Sequence, residues 1–423
     1  MAFPVISWAE HANIYEVNVR QYTPQGTFGA FATHLERLRS MGIDILWFMP
    51  VTPISHEKRQ GVLGSYYACS SYVKINPEFG TLRDFKALVN HAHKLGFKVI
   101  IDWVANHTGY DHEWTKEHPD WYEKDEIGNF VEKHGWKDVI DLNYKSDALR
   151  QAMIDAMQFW INECAIDGFR CDMAHLVPLD FWIDARKECD AIKPLFWLAE
   201  CDEKAYHKAF DYSYCWKWMH ITEDLVKQKN GLDNFREILD EYQNYGFGHN
   251  KLFFTSNHDE NSWNGTEYEK YDGLAKALAV FTITYPGLPL IYSGQELPNL
   301  KRLRFFEKDT IDWKPIKAVE GFYHALLKLR QIHPALGWKA ILTNLSSGKD
   351  EQIFAFIRSL NDQKVLVLLN LSMDNKVRFS INNPILKSKY RNLFSGLEFD
   401  FTDQENFELQ AGEYAVYYTE MKA

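Results

Sequence analysis

The chain has 423 residues, 46% of them hydrophobic and 15% aromatic, with a formal net charge of −11. That length leaves room for one domain of about 250 residues and two smaller units, with no need of staples to build a core. The charge argues against nucleic acid or an anionic membrane as partner, because phosphate binding needs clustered Lys and Arg, and no apolar run is long enough to span a bilayer.

Helix-then-strand grammar is visible from the start. Phe28, Phe31, Leu35 and Leu38 recur at helical spacing, Gly42 ends the run, and 43–49 follows as a buried strand. The next unit repeats it: Thr81 with Asp84 makes a capping box, Leu82, Phe85, Leu88, Val89, Ala92 and Leu95 form the apolar stripe, Gly96 stops it, and 97–102 is strand. A third copy has Ser146 as cap, Leu149, Met153, Met157 and Trp160 as stripe, and Gly168 leading into a strand that ends at Asp172. Near-continuously apolar strands separated by helices imply a parallel sheet buried on both faces. About forty residues lie between the Asp102 strand and the helix after Ser146, far beyond a usual loop, so this stretch is expected to form a small insertion. Beyond the helical stripe 322–332, ended by Pro334, the pattern changes to short strands at 352–360, 364–371, 376–381, 390–394 and 413–418, which read as an antiparallel sandwich.

Four segments run from apolar residues into a polar tip: Ile-Ile-Asp-Trp-Val-Ala-Asn-His at 100–107, Gly-Phe-Arg-Cys-Asp at 168–172, Phe-Trp-Leu-Ala-Glu at 196–200 and Phe-Phe-Thr-Ser-Asn-His-Asp at 253–259. An apolar strand ending in an acid, repeated with helices between, is how a (β/α)8 TIM barrel gathers carboxylates at one mouth. The α/β chain is therefore divided into a barrel over 1–105 and 146–338, an insertion over 106–145 and a C-terminal antiparallel β-sandwich over 339–423. Singly, an acid at a strand end is often only a cap or an ion-pair partner. Jointly, three carboxylates with an Arg and two His, lacking metal-ligand spacing, suit glycosidic bond cleavage better than metallohydrolysis. Breaking such a bond with retention needs two carboxylates roughly 5–5.5 Å apart, which suits Asp172 and Glu200 on neighbouring strands. Arg170, two residues before Asp172 on the same strand face, is expected to keep Asp172 ionised, while burial near other acids and aromatic neighbours such as Trp197 should favour a protonated Glu200.

These four motifs, in this order, resemble those of glycoside hydrolase family 13, the α-amylase family, across almost the whole chain. The resemblance makes Asp172 the nucleophile, Glu200 the general acid/base and Asp259 the transition-state stabiliser. It gives His107 and His258 hydroxyls of the sugar being cleaved. Gly-Ser-Tyr-Tyr at 64–67 is similar to the segment whose Tyr, here Tyr67, stacks under that sugar, and 286–296 resembles the last barrel strand. Val-Ile-Asp-Leu-Asn at 139–143 matches the close of the family's inserted domain B, here reduced, which implies an open cleft. Arg170 and His175 join the substrate-binding set, His175 standing where many relatives have Lys; a solvated loop His is the alternative. Among the many aromatics, a sugar role is also assigned to Trp263. Asp102 is read as holding Arg170 or the barrel mouth in place.

The implied activity is that of a retaining α-glycosidase hydrolysing α-1,4-glucosidic bonds in starch, maltodextrin or related α-glucans. A 4-α-glucanotransferase on the same site, or a non-catalytic glycan-binding protein on this fold, are the alternatives. No cofactor is expected for the chemistry. Asn106 and Asp141 match positions that hold a structural Ca²⁺ in many amylases, hard oxygens suiting that ion, although Leu176 stands where a calcium-site His often follows. The six cysteines show no CxxC or zinc pattern and read as structural thiols. Residues 1–4 are not followed by a signal-peptide stretch, so the expectation is a cytoplasmic protein, or a secreted or periplasmic one if a leader was removed.

Overall fold

A computed structural model describes residues 3–245, 250–313, 317–373, 376–402 and 406–420. Eight parallel strands close into a barrel: β1 (Ile14–Val17), β2 (Ile45–Phe48), β3 (Lys98–Trp103), then, after the inserted pair β4 (His107–Gly109) and β5 (Val139–Asp141), β6 (Gly168–Cys171), β7 (Phe196–Ala199), β8 (Tyr212–Tyr214), β9 (Asn250–Phe253) and β10 (Leu288–Tyr292). Their order round the barrel is β1-β10-β9-β8-β7-β6-β3-β2. Nearly every strand residue is buried, which is why the sequence shows continuous apolar runs and no alternation.

Local signals do what their chemistry dictates. Thr81 and Asp84 form a reciprocal capping box on the helix Leu82–Lys94, and the Ser146 hydroxyl accepts from Leu149 N–H at the start of Asp147–Cys164. Gly168 has a packing reason: a Cβ there would lie 2.0 Å from the Phe196 carbonyl oxygen of the next strand. Two expectations need correction. The first apolar stripe is two short helices, Phe28–Ala32 and Leu35–Met41, because Thr27 caps the first and the chain turns at Thr33. Between β7 and β8 the crossover carries only a 3-10 turn, Lys204–Lys208, in place of an α-helix, and so gives no periodic signal.

The chain divides into two compact units. One comprises Ile14–Tyr214 and Leu303–Asp312 with the residues up to Ile6; the other comprises Ser7–Asn13, Cys215–Arg302 and the chain from Trp313 onward. Within the second, β11 (Ile341–Leu345), β12 (Ile353–Leu360), β13 (Gln363–Asn370), β14 (Val377–Ser380), β15 (Lys389–Asn392), β16 (Glu398–Asp400), β17 (Asn406–Leu409) and β18 (Tyr414–Tyr418) make a six-stranded antiparallel sheet, β11-β12-β13-β18-β15-β16, and a separate β14-β17 pair. Residues of both share one core, including Ile353, Ile357, Leu366, Leu368, Phe379 and Leu409. The β12-β13 hairpin turns on Asn361 at φ 53°, a left-handed conformation that Asn tolerates. No helix is long and apolar enough to cross a membrane among the described residues.

Candidate active site

Arg170, fully buried on β6, is the hub of the first unit. Its Nη1 donates to Asp102 Oδ1 at 2.9 Å and to Asp172 Oδ1 at 3.0 Å. Its Nη2 lies 2.9 Å from Glu200 Oε2, an ion pair whose N–H is poorly aligned for a hydrogen bond. Strand register explains the meeting: Asp102 pairs across β3 and β6 with Arg170, Cys171 pairs across β6 and β7 with Ala199, and Asp172 and Glu200 each stand one residue further along. Burial opposes the guanidinium's charge, yet Asp102 and Glu200 outweigh it and hold Arg170 protonated well above its ordinary range. Three aromatic rings surround the group: Trp47 at 4.9 Å, Tyr214 at 5.3 Å and Tyr67 at 6.0 Å from the guanidinium carbon. Tyr214 OH accepts from Nε at 3.2 Å.

Asp102 is an orienting group. Besides Arg170 it accepts from Trp47 Nε1 at 3.2 Å and Tyr67 OH at 3.0 Å, both on Oδ2. Tyr67, half-buried, thus has its hydroxyl tied to the barrel while its ring stacks on Phe305 at 6.3 Å. Glu200 is held from another side: Met173 N–H donates to its Oε2 at 2.9 Å, and Ala174 N–H donates to its carbonyl at 3.1 Å. Met173 itself sits at φ 39°, ψ 47°, a left-handed conformation uncommon for a residue with a side chain and of the kind found where function fixes the backbone. Trp197 does not flank Glu200. It turns to the helix layer, where Nε1 donates to Asp190 and the ring packs on Phe169 and Phe210.

His107, at the start of β4, is buried, and Asn106 Nδ2 donates to its Nδ1 at 3.3 Å. Burial first, and His134 next, push its pKa down to about 3, so the ring is a neutral hydrogen-bonding group. His175 lies half-buried on the 3-10 turn Ala174–Leu176, its Nδ1 buried and without a hydrogen-bond partner among the described residues. In the second unit His258 is 3.3 Å from Asp259 Oδ2, and the Asp259 side chain is 40% exposed. The strand end leading to them is pinned by a buried network: Thr255 Oγ1 donates to Glu267 Oε1 at 2.6 Å, Gln295 Nε2 to Thr255 Oγ1 at 2.8 Å, and Tyr323 OH to Glu267 Oε2 at 3.3 Å.

The surroundings of Asp141 bear on the expected calcium. Asp141 Oδ2 accepts from Lys133 N–H at 3.1 Å, while its Oδ1 is buried with no donor, an oxygen that a hard cation suits. Among the described residues no three His, Cys, Asp or Glu side chains stand together as a metal site, so any further ligands would have to come from carbonyls and water. All six cysteines are buried and unpaired as disulfides, and burial pushes Cys69, Cys164 and Cys189 up to about 12, far from thiolate chemistry.

Sequence reasoning missed Trp47, Tyr214 and the Met173 amide. Trp47 reads as one more apolar residue of a buried strand. Tyr214 belongs to a three-residue strand with no helical signal before it.

A closed parallel barrel with buried carboxylates round one guanidinium defines a barrel hydrolase of the carbohydrate-active kind. The family profile described as "Alpha amylase, catalytic domain" matches residues 13–135 and 117–324, and that of "Maltogenic Amylase, C-terminal domain" matches 343–417. The chain belongs to the α-amylase family, glycoside hydrolase family 13. It is similar to the α-amylase MalA of Haloarcula japonica, 27% identical over 390 residues, which cover 87% of this chain but only 56% of that protein. Among solved structures it is similar to the maltogenic α-amylase AmyB of Thermotoga neapolitana, at 28% identity, TM-score 0.89 and coverage of 97% and 99% of the two chains. An α-amylase of Lactobacillus plantarum matches at 30% identity, TM-score 0.87 and the same coverage.

Proposed function

We propose that this protein is a retaining α-glycosidase that hydrolyses α-1,4-glucosidic bonds in starch, maltodextrin or related α-glucans. The observation that carries the reading is one guanidinium contacting both Asp172 and Glu200, a spacing compatible with double displacement. Asp172 attacks the anomeric carbon and forms a covalent glycosyl-enzyme; Glu200 gives its proton to the departing glycosidic oxygen and then takes one from the incoming water. Because two donors face Glu200 Oε2, the transferred proton belongs on Oε1. Asp259 supports the charge of the oxocarbenium-like transition state, and His107, neutral and buried, hydrogen-bonds sugar hydroxyls. His258 and His175 are assigned to the same sugar-binding set, with Tyr67 under the ring. A structural Ca²⁺ would take Asp141 Oδ1 and the Asn106 side chain, ordering the insertion without entering the reaction.

The test is stereochemical. Proton NMR of the first minutes of maltoheptaose cleavage should show the α-anomer first, because two inversions restore the configuration. The β-anomer first would rule out Asp172 as nucleophile. Products longer than seven units would show that a sugar hydroxyl, not water, intercepts the intermediate, and would make the enzyme a 4-α-glucanotransferase.

A further inference from the structure

A guanidinium carries its N–H groups in one plane, as a rigid fork with a separate Nε edge. In Arg170 the two Nη atoms face Asp102, Asp172 and Glu200, and the Nε edge is left to Tyr214, whose hydroxyl accepts from it at 3.2 Å. Strand register delivers the tyrosine. β7 and β8 pair through Leu198 with Tyr212 and Ala199 with Ser213, so Tyr214 stands level with Glu200, one residue beyond the last pair. It lies in the same compact unit as the three carboxylates and is fully buried.

A phenol suits that edge better than the alternatives. A fourth carboxylate there would compete with Asp172 and Glu200 for one positive charge, and an aliphatic side chain would leave a buried, charged N–H without an acceptor. A neutral hydroxyl does neither, and burial keeps it neutral, holding the Tyr214 phenol well above its ordinary range against the pull of Arg170. The ring adds a wall: its centroid is 5.3 Å from the guanidinium carbon, that of Trp47 is 4.9 Å away, and the two rings meet edge-on at 6.4 Å and 70°. Because Asp172 and Glu200 are held by different nitrogens of one plane, any tilt of that plane changes both contacts at once. We infer that Tyr214 is a positioning residue whose hydroxyl, by accepting from Nε, fixes the angle at which Arg170 meets Asp172 and Glu200. This inference rests on the reading of those two acids as nucleophile and acid/base.

The test is Tyr214→Phe, which keeps the ring and removes the acceptor, compared with the wild type on maltoheptaose across the pH range of activity, with circular dichroism and melting curves alongside. kcat should fall by about tenfold with KM changed by less than about twofold. A loosened guanidinium attracts both carboxylates less, so both limbs of the kcat/KM profile should move to higher pH, by about half a unit or more. A loss of activity with both limbs unmoved is what poorer packing alone would give, and it overturns the inference, as does a kcat within about twofold of the wild type. Site-specific replacement of Tyr214 by 3,5-difluorotyrosine, which keeps the fold-bearing ring and hydroxyl but weakens the acceptor, should move the limbs the same way by less; unmoved limbs there overturn it even if the Phe variant does not fold. Asp172→Asn and Glu200→Gln, measured beside these, separate the two levels. Either one keeping a tenth of wild-type turnover fells the reading of the reacting pair and the positioning role with it, whereas two inactive acid variants beside an indifferent Tyr214→Phe fell the positioning role alone.

Discussion

Arginine is buried in two quite different ways in this molecule. Arg170 faces Asp102, Asp172 and Glu200, three carboxylates for one positive charge. Arg358, at 2% exposure on β12, has no carboxylate partner among the described residues: Nη1 donates to Leu336 O at 3.1 Å and Nη2 to Gly337 O at 2.6 Å, and burial, with Arg330 close by, pulls its pKa down to about 9. Arg330 likewise donates to the carbonyls of Ile283, at 3.2 Å, and Gly287, at 2.5 Å. Carbonyl oxygens satisfy donors and tie loops together, and that is all they do. Surplus carboxylates leave net negative charge round Arg170, which is what the oxocarbenium-like transition state of the proposed mechanism calls for. Glu267 shows a third way to bury a charged group, which is to neutralise it: burial, against hydrogen bonds from Thr255, Tyr323 and Gln295, raises its carboxyl to about 7.

Each contrast can be broken. The largest effect belongs to the charged cluster: Asp172→Asn and Glu200→Gln should each cost at least about 10³-fold in kcat with circular dichroism unchanged, and either variant keeping a tenth of wild-type turnover would remove it from the mechanism. Next is Glu267. Its unfolded carboxyl loses its proton near 4.5 and its folded one near 7, so the folded state binds the extra proton between those values and stability falls as pH rises across that window, by about 3 kcal/mol in all. His107 works in the opposite direction, since its folded pKa near 3 lies below the ordinary 6.5 and its contribution grows with pH. The two must be separated by difference: denaturant curves from pH 4 to 8 should show Glu267→Gln lacking the wild type's loss, and parallel curves would refute the neutral carboxyl. Arg358→Met should leave kcat untouched and cost about 2 kcal/mol by orphaning the Leu336 and Gly337 carbonyls; an activity change would erase the distinction drawn between the two arginine sites. The smallest effect concerns the cation. Excess EDTA should lower Tm by a few degrees with kcat unchanged, and no shift, together with no calcium by elemental analysis, would dispose of the site.

Much of this was legible in the sequence because the signals are local. The capping box at Thr81, the cap at Ser146, the glycine stops and the apolar strands ending in Asp102, Asp172 and Glu200 are written within a few residues of where they act. Tyr214 was not legible, because β8 is three residues long and follows a 3-10 turn that leaves no periodic trace. The Met173 amide was invisible for a different reason: a backbone N–H has no letter, and only the left-handed turn aims it at Glu200. Trp197 was misplaced by proximity in sequence. Alternation along β7 sends it and Glu200 to opposite sides.

The hitch between Met173 and Glu200 has a consequence for how such an enzyme can change. The residue after Asp172 gives its N–H to the Glu200 carboxylate, the next gives its N–H to the Glu200 carbonyl, and Arg170 grips both acids from beneath. The proposed reacting pair is therefore held within a few residues of two adjacent strands, with no residue of the insertion among these ties. On the proposed mechanism, outer loops can lengthen, shorten or change composition without disturbing these ties, so a preference for one glycan or another can change while the pair stays as it is.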